Sequence, residues 1–111
     1  MSLIYQDPSM SHNDAISLLA SGSEPNVVAA LVSIGLNEQD RVWAQTMCLK
    51  YLDSGTELIA ASAITSLGHI ARRHGELDMN AVLPAFDTAK KKFPALEATI
   101  ADTLDDIEVF T

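Results

Sequence analysis

Three aspartates in the last part of the chain have the residue type and spacing for acid–base chemistry. Asp105 and Asp106 follow Asp102 at i+3 and i+4, so a helix places all three on one side. Paired carboxylates can serve as general acid and general base in a hydrolase. The sequence shows no nucleophile, glycine-rich loop or basic clamp beside them. The pattern thus leaves two further interpretations open, a solvated face and a surface that contacts a partner.

The histidines and the cysteine lack the spacing of a metal centre or an activated nucleophile. His69 and His74 are five residues apart, so a helix turns them to different faces, and no Cys-x-x-Cys occurs. Cys48 lies within "WAQTMCLKYL" at helical spacing with Ala44 and Leu52, which predicts a buried thiol rather than a reactive one. We therefore expect no metal, no cofactor and no catalysis.

The position of the aspartates favours a partner-facing role. Acids in the last turns of a helix oppose its dipole and repel each other, and each effect costs about 0.3–0.5 kcal/mol. The basic runs Arg72–Arg73 and Lys90–Lys92 stand at predicted helix C-termini, where the dipole stabilises them. An external partner would therefore explain why the acidic cluster occurs at this unfavourable position.

Charge and composition limit the kind of partner. The formal net charge is −8, and neither residues 1–40 nor residues 94–111 contain a lysine or arginine. This balance disfavours nucleic acid and anionic membranes and suits a basic protein. No apolar run is long enough to span a bilayer, no secretory signal is visible, and a lone cysteine forms no disulfide framework. A cytoplasmic location is the expectation.

Turn and capping signals divide the chain into six predicted helices and an all-α fold. Ser11, Ser23, Asn37 and Asp78 are predicted N-caps, and Gly22, Gly35 and Gly75 are predicted stops. Pro84 is expected to bend the fifth helix or delay its start. Connections of two to five residues make successive helices antiparallel neighbours. The predicted ranges are 11–20, 23–35, 38–52, 56–74, 79–92 and 94–109.

Internal repetition suggests how these helices are arranged. Shifted by 37 residues, "IAASAITSLGHI" (59–70) falls on "LEATIADTLDDI" (96–107), and shifted back by 33, "AITSLG" (63–68) falls on "ALVSIG" (30–35). Repeats of this length are typical of stacked helical hairpins. A single domain over 1–111 with hairpins at about 11–35, 38–74 and 78–109 is predicted. Gly68 would then let neighbouring helices approach closely.

The segment "DSGTELIAASAITSLGHIA" (53–71) resembles the second helix of a HEAT repeat, with an acid before the helix, small residues within it and Leu-Gly near its end. The likeness extends over 38–75 and, with Asp105 in place of the glycine, over 76–110. The arginine that the family carries early in this helix is missing. The resemblance implies a short right-handed α-solenoid that binds partners and has no catalysis of its own.

In such a stack the second helix of each hairpin lines the concave surface. The residues predicted to face outward there, and to bind the partner together with Asp105, are Ser62, Thr65, His69, Arg73, Thr99, Asp102 and Asp106, with Ser33 on the second helix. The predicted core comprises Ile16, Leu19, Val28, Leu31, Ile34, Val42, Met47, Cys48, Leu52, Ile59, Ala63, Leu67, Ile70, Val82, Phe86, Leu96, Ile100, Leu104 and Ile107.

The function predicted from these features is binding and regulation of a basic protein partner. Small size, acidity and helical form are similar in type to bacterial immunity proteins, which neutralise a toxin. The alternatives are a structural or scaffolding subunit of a larger assembly and, with less support, a hydrolase using Asp102 and Asp106. Apolar residues at both ends, "LIY" (3–5) and "IEVF" (107–110), suggest a homodimer.

Overall fold

The computed structural model describes residues 10–111, and all regular structure in that range is helical. Residues 10–111 contain six α-helices, and a 3₁₀ turn, Pro94–Leu96, leads directly into the last of them. The predicted all-α fold with six helices is therefore confirmed. The helices are α1 His12–Leu19, α2 Glu24–Asn37, α3 Arg41–Ser54, α4 Glu57–His74, α5 Met79–Lys92 and α6 Glu97–Phe110.

Short polar side chains start the first five helices. Ser11 caps α1 in a capping box with Asp14, as the spacing predicts. The N-caps of the next four helices are Ser23, Asp40, Thr56 and Asp78, and each accepts a hydrogen bond from a backbone N–H of its first turn. Gly75 ends α4 in the left-handed conformation, with φ 71°.

The boundary between α2 and α3 differs from the prediction. Helix α2 continues past Gly35 to Asn37, and the amide of Glu38 still donates to the carbonyl of Ile34. Asn37 therefore belongs to α2, and Asp40 caps α3 instead. The prediction was wrong because Gly35 serves a helix contact and does not terminate the helix. Likewise, α3 extends to Ser54, and Pro84 lies inside α5 without delaying its start at Met79.

Helix α4 is the centre of the packing, in contact with α2, α3 and α6. Its residues Ala60, Ala63, Ile64, Leu67 and Ile70 are fully buried. Two predicted core residues are wrong, since Ile16 is 43% exposed and Val42 is 62% exposed. Both side chains point towards solvent. The inward positions of the same helices are occupied by Ala15 and Leu19 on α1 and by Ala44 and Cys48 on α3.

Two glycines set the distance of α4 from its neighbours. A Cβ added to Gly35 of α2 would lie 2.9 Å from the Cα of Ser66 on α4. A Cβ added to Gly68 of α4 would lie 3.2 Å from the Cγ2 of Thr103 on α6. The prediction that Gly68 allows close helix approach agrees with this geometry, and Gly35 does the same on the other side.

Candidate binding surface on α2, α4 and α6

The predicted acidic residues of α6 fall into two groups in the structure. Asp102 and Asp105 are exposed, and neither forms an ion pair or hydrogen bond within residues 10–111. Asp106 is half-buried, and its Oδ2 accepts from Nη2 of Arg72 on α4 at 3.2 Å. Two of the three carboxylates are thus open to a partner, while the third already has an internal one.

Charge is distributed unequally over the helices. Helix α6 carries five acids and no base, namely Glu97, Asp102, Asp105, Asp106 and Glu108. Helix α5 carries three lysines at its C-terminal end and one acid, Asp87. Arg72 of α4 pairs with Asp106 and also lies over the ring of Phe110, with 5.3 Å from Cζ to the ring centroid. The surface of α6 is therefore strongly negative.

His69 lies beside this ion pair on the half-exposed side of α4. Burial lowers the pKa of its imidazole, and the positive charge of Arg72 lowers it further, while Asp106 acts in the opposite direction. Because this pKa lies below 6.5, the imidazole is predominantly neutral at pH 7.

A shallow groove between α2 and α4 contains several of the predicted residues. It has a volume of about 190 Å³ and is lined by Val32, Ala61, Ser62, Thr65, Ser66 and His69. Thr65 is exposed, whereas the hydroxyl of Ser62 donates to the carbonyl of Leu58 in its own helix. On α6, Thr99 is half-buried. Asp102 and Asp106 do not line this groove, so it does not form a cleft around paired aspartates.

Ser33 was expected to face outward from α2 and does not. It is only 3% exposed and lines a cavity of about 240 Å³ with His12 and Ala15 of α1. The prediction failed because α1 packs against α2. Ser33 is one of three buried hydroxyl residues at corresponding repeat positions, the others being Ser66 on α4 and Thr103 on α6.

Arg73 makes its hydrogen bonds within the chain. Its guanidinium donates to the carbonyls of Gly35 and Glu38, at 3.1 and 2.8 Å, and Nε2 of His74 donates to the Glu38 carbonyl at 3.1 Å. These carbonyls are at the C-terminal end of α2, and the last carbonyls of a helix have no hydrogen-bond partners within that helix. Arg73 therefore caps a neighbouring helix as well as standing at the end of α4.

Sequence reasoning missed the polar junction around Glu38. Its carboxylate accepts from Nδ1 of His12 at 2.9 Å and from the Asp40 amide at 3.0 Å. The His12 ring also contacts the Trp43 ring, with centroids 4.0 Å apart. Since these partners come from separate helices, no local spacing in the sequence indicates the junction.

The remaining candidates for chemistry are accounted for by packing. Cys48 is fully buried, and burial raises the pKa of its thiol to about 12, so the thiol is protonated at pH 7. Within residues 10–111, no cluster of three or more histidine, cysteine or acidic side chains has the arrangement of a metal site.

Comparison of the chain with protein-family models, with curated proteins and with solved structures finds no match. None of the helices in residues 10–111 combines the length and the apolar character needed to cross a bilayer.

Proposed function

We propose that the chain is a non-catalytic module that binds and regulates a basic protein partner in the cytoplasm. The observation that carries this proposal is the surface of α6, where five acids occur without a base and two of them, Asp102 and Asp105, are exposed and without an ion pair in the described region. Opposite electrostatic fields accelerate association, and desolvated carboxylate–arginine pairs slow dissociation.

The architecture we propose is three antiparallel hairpins stacked as a right-handed HEAT-like superhelix. Contacts of α4 with both α2 and α6, and of α3 with α5, support it. Further support comes from the close contacts, because the pair Gly35–Ser66 maps onto Gly68–Thr103 under the sequence shifts of 33 and 37 residues. In this arrangement α2, α4 and α6 would provide one continuous binding face.

Within the binding class, we propose an immunity-type role, in which the partner is a cationic toxin such as a nuclease. An acidic surface resembles the phosphate backbone in charge, so it suits an enzyme whose substrate is nucleic acid. A toxin reading frame directly beside the gene would support this role. A purified neighbouring toxin that retains full activity in the presence of the chain would contradict it.

The direct test of the proposed function is affinity capture from the source cell with two charge-matched variants. One combines Asp102→Asn with Asp105→Asn on α6, and the other combines Asp53→Asn with Asp87→Asn on exposed positions of α3 and α5. The first pair should lose the partner or lower the salt concentration at which it elutes, while the second should behave like the wild type. Equal loss in both would show that only net charge matters.

A structural subunit is the second candidate, and the exposed end of α6 favours it. Val109 is 75% exposed and Phe110 is 43% exposed. A second copy could cover them and form the predicted homodimer, although the other predicted apolar end, residues 3–5, lies outside the described residues. Light scattering that gives the monomer mass at high protein concentration would contradict this candidate.

A further inference from the structure

The groove between α2 and α4 has the size of a single side-chain pocket. Its volume is about 190 Å³, and an apolar cavity of about 150 Å³ is enough to hold benzene. The side chains of Ala61, Ser62 and Ser66 are small, and Val32 adds an apolar wall that is 39% exposed. One leucine- or phenylalanine-sized side chain would therefore fit.

The contacts between α4 and α6 define where Asp102 lies relative to this groove. Gly68 approaches Thr103, and Arg72 pairs with Asp106, so a residue of α4 is level with the residue about 35 positions later on α6. Asp102 is thus level with the turn of α4 between Thr65 and His69. Packed helices are about 8–10 Å apart, and the exposed carboxylate of Asp102 is one helix away from the groove.

We infer that this groove and Asp102 together bind an amphipathic helix of a basic protein, with an apolar side chain in the groove and a lysine or arginine seven residues further along paired with Asp102. This inference rests on the proposed function and identifies the kind of partner element. Seven residues are two turns, or about 10.5 Å along a helix axis, and adjacent packed helices are about 8–10 Å apart, so the long side chain of a lysine or arginine at that position extends across α4 towards α6. An amphipathic helix that places its apolar face in a groove of its partner is a common recognition mode.

The charges around the groove favour a basic partner. Arg72 is compensated by Asp106, and Arg73 is hydrogen-bonded to the end of α2. His69, whose pKa is lowered chiefly by burial, adds little charge at pH 7. Asp102 and Asp105 remain as exposed charges beyond the groove. A basic side chain that crosses α4 would therefore be attracted to α6.

The probe is a helical peptide of about 20 residues, long enough to be stable in water when rich in alanine. It contains one leucine and, seven residues later, one arginine. The control peptide has the same composition, with the arginine moved to the opposite face of the helix. Titration of isotope-labelled full-length protein, followed by amide chemical shifts, should show shifts at Thr65, His69 and Asp102. The control peptide should bind about threefold more weakly, as expected for an exposed ion pair.

Two variants separate the groove from the charge. Thr65→Trp fills the groove and should weaken the peptide at least about tenfold, because an apolar side chain loses its burial site. Asp102→Asn should weaken the leucine–arginine peptide about threefold and leave the control peptide unchanged. Asp87→Asn, the same substitution on α5, should change neither. Thermal melting of each variant checks that the fold is intact.

The outcomes distinguish this inference from the proposed function. Equal affinity for the two peptides, shifts at other positions, or no shifts at millimolar peptide would overturn the inference. If affinity capture still depends on Asp102 and Asp105, the proposed function stands in each of these cases. A second copy is the competing occupant, since Leu83 and Lys90 on α5 are exposed with the same spacing. Self-association of the wild type that Thr65→Trp abolishes would assign the groove to that copy and overturn the inference.

Discussion

Helix α4 is held by its two neighbours in different ways. Towards α2, a Cβ on Gly35 would lie 2.9 Å from backbone and side-chain carbon atoms of Ser66. Towards α6, a Cβ on Gly68 would meet only the Thr103 methyl group, at 3.2 Å. The first obstacle is backbone and the second is the end of a side chain. The α2–α4 contact therefore requires glycine more strictly than the α4–α6 contact.

The polar contacts differ in the same sense. Between α2 and α4, the Ser66 hydroxyl donates to the Leu31 carbonyl at 2.8 Å in a buried position. Between α4 and α6, the ion pair Arg72–Asp106 is about half exposed on both sides. At the repeat position of Gly35 and Gly68, α6 has the exposed Asp105. The α2–α4 contact is therefore a tightly packed, buried interface, whereas α6 presents a charged outer surface.

Leu67→Asp should have the largest effect, because Leu67 is fully buried in the helix that both interfaces share. Burying an unpaired charge costs several kcal/mol, a large part of the total stability of about 5–15 kcal/mol for a small domain. We expect the cooperative thermal transition seen by circular dichroism to disappear. Leu58→Asp, on the same helix at a position 54% exposed, is the matched control. An unchanged midpoint for Leu67→Asp would contradict the assigned core.

Gly35→Ala and Gly68→Ala test the comparison between the two interfaces directly. Alanine gains about 1 kcal/mol over glycine within a helix, while overpacking costs about 1–3 kcal/mol. At Gly35 the backbone has to move, so we expect a net loss of about 1–2 kcal/mol. At Gly68 the Thr103 methyl can yield, so the net effect should lie within about 1 kcal/mol of zero. Urea denaturation measures both, and equal losses would remove the distinction.

Ser66→Ala should have a smaller effect on the α2–α4 interface. It removes the buried hydrogen bond to Leu31, and a net loss of about 0.5–1.5 kcal/mol is expected. Ser62→Ala is the control, because that hydroxyl is bonded only to its own helix, at the Leu58 carbonyl, and the loss should be close to zero. If both variants lose the same stability, the interhelical hydrogen bond contributes nothing specific.

The starts of α1, α2 and α5 could be predicted from the sequence because their capping signals are local. Ser11, Ser23 and Asp78 each bond an amide two or three residues away, so the pattern contains the whole interaction. The end of α2 could not be predicted in this way. Its last carbonyls are bonded by Arg73 and His74, more than 30 residues further along the chain, and Gly35 is needed for packing.

The candidate surface could be predicted in part for a related reason. The exposure of Thr65, Asp102 and Asp105 agrees with the helical periodicity and the repeat shifts. The burial of Ser33 depends on α1, and the ion pair of Asp106 depends on the register of α4 against α6. Periodicity indicates which side of a helix is polar, whereas the partner of each polar group follows only from the packing.

The smallest expected effect concerns His69, where the α4–α6 interface can be examined without disturbing the fold. Arg72→Gln should raise the pKa of His69 by removing a repelling charge, and Asp106→Asn should lower it. The wild-type pKa lies below the ordinary value of 6.5, so the folded chain binds fewer protons at this site than the unfolded chain. The contribution of this pKa difference to the folding stability is fully present above pH 6.5 and is lost as the pH falls towards the folded pKa. Nuclear magnetic resonance titration of the imidazole, assigned with His69→Gln, measures these shifts. Shifts of the same sign in both variants would mean that the Arg72–Asp106 pair does not form beside His69.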